Sequence, residues 1–387
     1  MPHEVKSDLI ASMHRYGAFD ISACYNCGNC TAVCPLAEET GGFPRRLIRM
    51  GQVGMEKRLL ADDHLWLCYG CGQCTETCPR QADPAQYMAA ARRYATARYD
   101  PTGLSRLALG SALGQTLLFA LLSALFTLLL LWHKGDMNGR QLALFDFVPG
   151  LWIHDIGVAL FAVVGLAALA GIVSMFTRFV RRQRADGRPR LAWSLLPRAL
   201  GSAFADALTH ARHRTCDQEQ TALPLLVRPW FVHAIILWGF LAMLGATTLD
   251  FLFKPIGSYV PVWYPVRVLG MAGGLACLYG LAVAAARRWR SAKPPYNASR
   301  FADWFLLALL AATVITGLAT MVVVYLPQPS RVAYALFLTH VVLAMDLIVL
   351  LPLTKLAHAM YRPLALALHR WASASAAAVP AGAPEQA

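Results

Sequence analysis

Six long apolar runs dominate the chain beyond residue 100, at roughly 107–132, 153–179, 230–253, 264–286, 301–325 and 335–360. Each has about 20 residues or more, and a helix rising about 1.5 Å per residue then spans a hydrocarbon layer about 30 Å thick. His154, His340, Asp346 and Pro352 interrupt the second and last runs but leave them long enough. The first hundred residues are polar by contrast. Within them Leu47, Ile48, Met50, Val53, Met55, Leu59 and Leu60 broadly follow helical spacing, so most of 45–60 reads as helix with Pro44 in its first turn. A second helix is predicted over 84–98, where Arg92, Arg93 and Arg98 would approach anionic lipid headgroups. The Ala-, Pro- and Ser-rich end, 371–387, reads as a disordered tail. The prediction is an all-α protein: a helical domain over 1–100, a six-span membrane domain over 101–370, and the tail.

Composition agrees with that split. Hydrophobic residues make up 57% of the chain and charged residues 15%, against roughly 45–50% and 25% in soluble domains. A net charge of +13 would suggest nucleic acid if the basic residues formed a patch. They lie instead in loops between apolar runs, which is how topology signals are distributed, and this excludes nucleic-acid binding as a function. The segment 178–229 carries ten Arg, and 287–300 carries Arg287, Arg288, Arg290, Lys293 and Arg300. The alternate loops hold only Lys134 and Arg140, then Lys254, then Arg331. Positive loops face the cytoplasm, so six spans place both termini on the cytoplasmic side of a bacterial inner membrane. Met1–Ile10 lacks the apolar core of a signal peptide. The first hundred residues hold eight of the ten cysteines, and a reducing compartment makes disulfides unexpected there.

Those eight cysteines carry the most specific signal. Cys24, Cys27, Cys30 and Cys34, followed by Pro35, spell C-x2-C-x2-C-x3-C-P, and Cys68, Cys71, Cys74 and Cys78, followed by Pro79, spell it again. Two-residue spacers let one tight turn present three thiolates to a cubane, and the fourth, offset cysteine ligates the other cluster in two-cluster proteins. The expected ligand sets are therefore Cys24, Cys27, Cys30 and Cys78 for one [4Fe–4S] cluster, and Cys68, Cys71, Cys74 and Cys34 for the other. Structural zinc sites use two C-x2-C pairs rather than two complete four-cysteine runs. Cys216 and Cys277 stand alone and read as inert.

Four histidines follow from the spans. His340 and His358 are 18 residues apart, which is five helical turns, so on one continuous helix they share a stripe about 27 Å long. They then serve two cofactors, one near each membrane face. Depth pairs His233 with His358 near the cytoplasm and His154 with His340 near the outer face. Two facing neutral imidazoles make a low-spin haem b site suited to electron transfer, and ionisable groups inside a membrane are functional candidates by default. His133, His210 and His213 read as structural or interfacial.

The run from Cys24 to Pro79, with Phe43-Pro44-Arg45-Arg46 and Leu65-Trp66-Leu67-Cys68, resembles the C subunit of heterodisulfide reductases, small two-cluster carriers of single electrons. The spacing of His340 and His358 resembles the dihaem gamma subunit of respiratory nitrate reductase. In that family a second helix carries two ligands ten residues apart; here His233 matches the first, and position 243 is Met243. Met243 is then an alternative outer ligand to His154, with a single haem the third possibility. Trp230-Phe231-Val232-His233, Ala246-Thr247-Thr248-Leu249, Arg267-Val268-Leu269-Gly270 and His358-Ala359-Met360-Tyr361-Arg362 are similar to the citrate and tricarballylate utilization protein B family. That resemblance implies a membrane-bound electron-transfer subunit. It would take electrons from a cytoplasmic flavoprotein or iron–sulfur dehydrogenase, pass them through two [4Fe–4S] clusters and b haems, and deliver them to quinone. The alternatives are reverse flow, from quinol to a heterodisulfide reductase-like partner, and a redox-sensing membrane anchor. No nucleophile–base pair, phosphate loop or nucleotide fingerprint is present, so dehydrogenase chemistry belongs to a partner. Lys254, Arg267 and Arg331 are outer-face candidates for a quinone carbonyl, and Arg362 is the inner one.

Overall fold

The computed structural model describes residues 5–17, 19–137, 144–215, 222–253, 260–290, 293–325 and 331–378, and among these the chain is helical with no strand. Lys254 and Cys216 lie outside the described residues. In the first hundred residues, α1 (Arg45–Gln52) and α2 (Pro84–Tyr99) flank the cysteine loops. The helix expected over most of 45–60 is two helices, because Gly54 takes φ +71° and reverses the chain before a second piece, Glu56–Leu60. Asp83 caps α2 by accepting from the Gln86 amide, with Pro84 in its first turn.

The six apolar runs form α3 (Ala112–Trp132), α4 (Gly150–Ala185), α6 (Pro229–Phe253), α7 (Pro265–Arg290), α8 (Phe301–Val323) and α9 (Arg331–Leu350), all long and apolar enough to cross a membrane. Between α4 and α6 lies α5 (Leu196–Thr209), and α10 (His358–Ala377) ends the described chain. On α3, Leu113, Leu117, Leu121, Leu125 and Leu128 are exposed along one face, which is the stripe a lipid-facing helix presents. Helices α6 and α7 approach closely because Gly239 and Gly273 leave no Cβ between them; a Cβ on Gly239 would lie 2.6 Å from the Gly273 carbonyl oxygen. Asp346 is fully buried and accepts from Ser123 Oγ at 2.6 Å, joining α9 to α3.

The last apolar run is not one helix. Helix α9 stops at Leu350, a turn carries Pro352, Thr354 caps a short 3-10 turn, and α10 starts at His358. Proline has no N–H to donate and disfavours helical geometry in the residue before it. His340 and His358 therefore stand on different helices, and the shared stripe expected for them does not exist. The expected tail is also displaced: Trp371 is fully buried within α10, which runs on through alanine-rich sequence to Ala377. The remainder of the tail falls outside the described residues apart from Ala378.

Helix α4, with 36 residues, is about 54 Å long, well beyond a hydrocarbon core, and its surplus carries arginines to the cysteine-rich half. Arg182 meets Asp62 at 2.8 Å and Asp186 meets Arg58 at 2.9 Å. Around this seam lie Lys293–Glu76 at 3.2 Å, His369–Asp63 at 2.9 Å and Arg212–Glu39. One hydrophobic core crosses the boundary, running from Leu9, Leu47, Trp66 and Tyr99 to Phe179, Tyr361 and Trp371. The three arginines of α2 are taken up by protein rather than headgroups: Arg93 pairs with Asp303 at 3.3 Å, Arg98 with Glu56 at 3.0 Å, and Arg92 donates to the Cys68 carbonyl at 3.3 Å.

Candidate redox site

The two cysteine runs fold alike. Asn26 and Gly70 take φ +59° and +70°, and Gly28 and Gly72 take φ +93° and +91° just before the short helices Asn29–Ala32 and Gln73–Glu76. Left-handed backbone at these positions is accessible to Gly and, at modest cost, to Asn, and it turns three cysteines inward from each loop. Each loop encloses a small cavity. One is lined by Cys24, Cys27, Cys30 and Cys78, the other by Cys34, Cys68, Cys71 and Cys74. The fourth cysteine of each run thus faces the other run's cavity. Asn29 Nδ2 donates to the Thr77 carbonyl at 2.6 Å, tying the loops together. Burial pushes the Cys30 thiol up to about 11 and the Cys34 thiol up to about 12. Thiolates in these cavities therefore call for cationic iron, and four sulfurs around one cavity is the donor set of an iron–sulfur cubane.

The second loop is pressed against the membrane half. A Cβ on Gly72 would lie 2.6 Å from the Pro294 carbonyl oxygen. Gly72→Ala combines that clash with left-handed backbone costing about 1–2 kcal/mol. It should loosen the seam, seen as faster proteolysis near residue 290 than in the unsubstituted chain; equal protection would show that Pro294 yields.

Beyond Tyr69 the structure assembles four histidines. The Tyr69 ring stacks on His213 with centroids 5.0 Å apart and planes 15° from parallel. His213 lies 5.9 Å from His233, and His233 lies 5.9 Å from His358. His210 Nε2 is 2.7 Å from His233 Nδ1. His210 Nδ1 faces the Leu208 carbonyl at 3.4 Å, which assigns its N–H there and makes Nε2 the acceptor from His233 Nδ1–H. His358 Nδ1–H donates to the Lys355 carbonyl at 2.7 Å. Both His233 and His358 thereby keep Nε2 for a metal, with the orienting second bond that metal-bound imidazoles have. Two imidazoles sharing one ion at about 2 Å from each nitrogen have ring centres about 6 Å apart, which the observed spacing fits. Burial, with Arg362 nearby, pushes His213 down to about 3, so its ring is neutral at pH 7.

Reading His210 and His213 as structural residues missed this convergence. The available signal was their three-residue spacing in a loop that leads into the start of α6, where His233 stands. His154 and His340 are not brought ring to ring in the same way. His154 stacks on Phe251 at 4.5 Å, and His340 Nδ1 lies 3.0 Å from the Thr313 carbonyl. Met243 packs at the edge of the bundle core, and His133 meets Trp152 edge-on at 4.5 Å.

Residues 20–82 match the 4Fe-4S dicluster domain, and residues 141–380 match citrate utilization protein B, a span of more than half the chain. The chain belongs to the citrate utilization protein B family. Its first part is also similar to the C subunit of the H(2):CoB-CoM heterodisulfide,ferredoxin reductase of Methanothermobacter thermautotrophicus, 34% identical over 13% of this chain and 28% of that protein. The C subunit of the ferredoxin:CoB-CoM heterodisulfide reductase of Methanosarcina mazei is 34% identical over 16% of this chain and 37% of that protein. The chain thus spans well under half the length of these relatives. No solved structure matches it significantly. This member of the family joins a dicluster domain for two [4Fe–4S] clusters to six helices long and apolar enough to cross a membrane.

Proposed function

We propose that this protein carries single electrons between a cytoplasmic redox partner and quinone in the bacterial inner membrane. In this reading Cys24, Cys27, Cys30 and Cys78 hold one cluster, and Cys68, Cys71, Cys74 and Cys34 the other. His233 and His358 hold an inner b haem; an outer one would be held by His154 and His340, whose rings the structure leaves apart, His154 stacked on Phe251 and His340 facing the Thr313 carbonyl. The convergence of His233 and His358, each with Nδ1 engaged and Nε2 available, is the observation that carries it. Bound between two imidazoles, a haem changes charge with little rearrangement, which suits one-electron traffic.

The chain's own residues do the rest. Lys355 and His210 fix the ring orientations, and the arginine-rich ends of α4 and α7 sit on the cysteine-rich side of the bundle, as cytoplasmic ends should. Clusters and haems carry the redox chemistry while the protein sets spacing, potential and access. The partner is a flavoprotein or iron–sulfur dehydrogenase. The likeness to the small iron–sulfur subunits of heterodisulfide reductases supports the opposite flow, from quinol to a reductase of that kind, and midpoint potentials measured against the quinone pool decide between them.

A pyridine haemochrome assay on anaerobically purified protein tests the membrane half. The expected result is two b haems per chain, one lost in His358→Ala or His233→Ala and the other in His340→Ala. A chain without haem would leave only a membrane-tethered ferredoxin. Retention of both haems in His358→Ala would remove that residue from the ligand set.

A further inference from the structure

The duplicated cysteine loops place a tyrosine directly after the first cysteine of each run, and the two tyrosines have different surroundings. Tyr25 is 72% exposed, and the guanidinium over its ring, 4.2 Å away, is that of Arg80 from the same cysteine-rich half. Cys27 beside it is also exposed. Tyr69 is the counterpart in the second loop. Its covering guanidinium, 3.6 Å away, is that of Arg362 on α10. Arg362 also donates to the Cys68 carbonyl at 2.8 Å and to the Leu67 carbonyl at 3.3 Å. The ring stacks on His213, which leads to His233 and His358.

From this asymmetry we infer that the cluster of Cys34, Cys68, Cys71 and Cys74 is the one that exchanges electrons with the membrane histidine site, through the Tyr69–Arg362–His213 contact. The cluster of Cys24, Cys27, Cys30 and Cys78 is left facing solvent, where a soluble partner meets it. This rests on the haem reading above and adds the order of the carriers. In the proposed step one electron leaves the reduced second-loop cluster and one ferric iron held by the histidines becomes ferrous; no bond forms or breaks and no proton moves. Arg362 is a positioning residue. It spans the seam in one side chain, and with Arg92 it places positive charge on the Cys68 peptide, which favours the more negative, reduced state of that cluster.

The test uses the full-length protein in detergent, with the clusters reduced by a photoexcited deazaflavin and the haem followed optically. Arg362→Gln and Tyr69→Leu are each expected to keep both clusters and the haems by iron, sulfide and haemochrome analysis, and to slow haem reduction by about tenfold or more, the scale of outer-shell substitutions. Arg362→Gln should also lower the midpoint of one cluster only, the one whose EPR signal is altered by Cys74→Ser, and Arg362→Lys should restore most of the rate. Unchanged haem reduction in both Arg362→Gln and Tyr69→Leu would overturn the order, as would slowing in Arg80→Gln instead. Absence of haem from the unsubstituted protein would overturn the functional reading and this inference together, which separates the two failures.

Discussion

Cys78→Ser should abolish the cluster of the other cysteine run and leave its own run's cluster in place. The cavity that Cys78 lines is shared with Cys24, Cys27 and Cys30, and the cavity of Cys68, Cys71 and Cys74 is completed by Cys34. A serine hydroxyl does not ionise under conditions where a thiolate binds iron, so the substituted site loses a corner rather than exchanging one ligand for an equal. Cluster iron is expected to fall from about eight to about four atoms per chain. The EPR signal that survives should match that of Cys27→Ser and differ from that of Cys74→Ser. Survival of the signal missing in Cys27→Ser would mean that each run closes its own cluster. Electron entry from a soluble donor should fall to background in Cys78→Ser, because the solvent-facing cluster is the one removed.

Asp62→Ala should be the most destabilising substitution outside the cluster ligands. Its carboxylate is fully buried where α4 meets the cysteine-rich half. It accepts from His64 Nδ1 at 2.7 Å and pairs with Arg182 at 2.8 Å and Arg46 at 3.0 Å. Burial alone would raise its pKa, but His64 and the two guanidinium groups outweigh burial and hold the carboxyl well below the usual range. Removing it leaves two cations facing each other, a loss of about 3–5 kcal/mol for a broken buried pair. Thermal bleaching of the cluster absorbance should begin several degrees lower in Asp62→Ala; an unchanged Tm would show that water or Asp63 replaces the carboxylate. The pH dependence has a definite sign. A depressed carboxyl contributes its full stability above its unfolded value of about 3.9 and loses it as pH falls through the lower folded value. The seam should therefore hold at neutral pH and open in acid, with Asp62→Ala removing part of that acid transition.

Much of the fold is legible residue by residue because its causes are local. Each C-x2-C-x2-C-x3-C-P run carries its own turn chemistry, with Gly28 and Gly72 supplying the backbone that points three sulfurs inward. The apolar runs name their helices because an unbroken apolar stretch of about 20 residues satisfies its backbone in lipid as a helix. The arginines of 178–229 and 287–300 mark the ends that meet the cysteine-rich half. Even the break before His358 has a local cause in Pro352, although hydropathy alone reads straight through it.

Which distant groups meet is set by packing between remote segments. His210 and His213, set in a basic loop, fold back onto His233 because α5 packs on α10, and no periodicity encodes that return. The same holds for Arg362 reaching Cys68, 294 residues away in sequence, and for Trp371 completing a core that begins at Leu9. Motif spacing, helix length and charge bias act within a turn or two of the chain, so the iron–sulfur cofactor class and the long apolar helices were legible in the sequence. Side-chain packing across the seam acts at contact distance between remote segments, so it alone distinguished the two tyrosines, setting Tyr69 against His213 and Arg362.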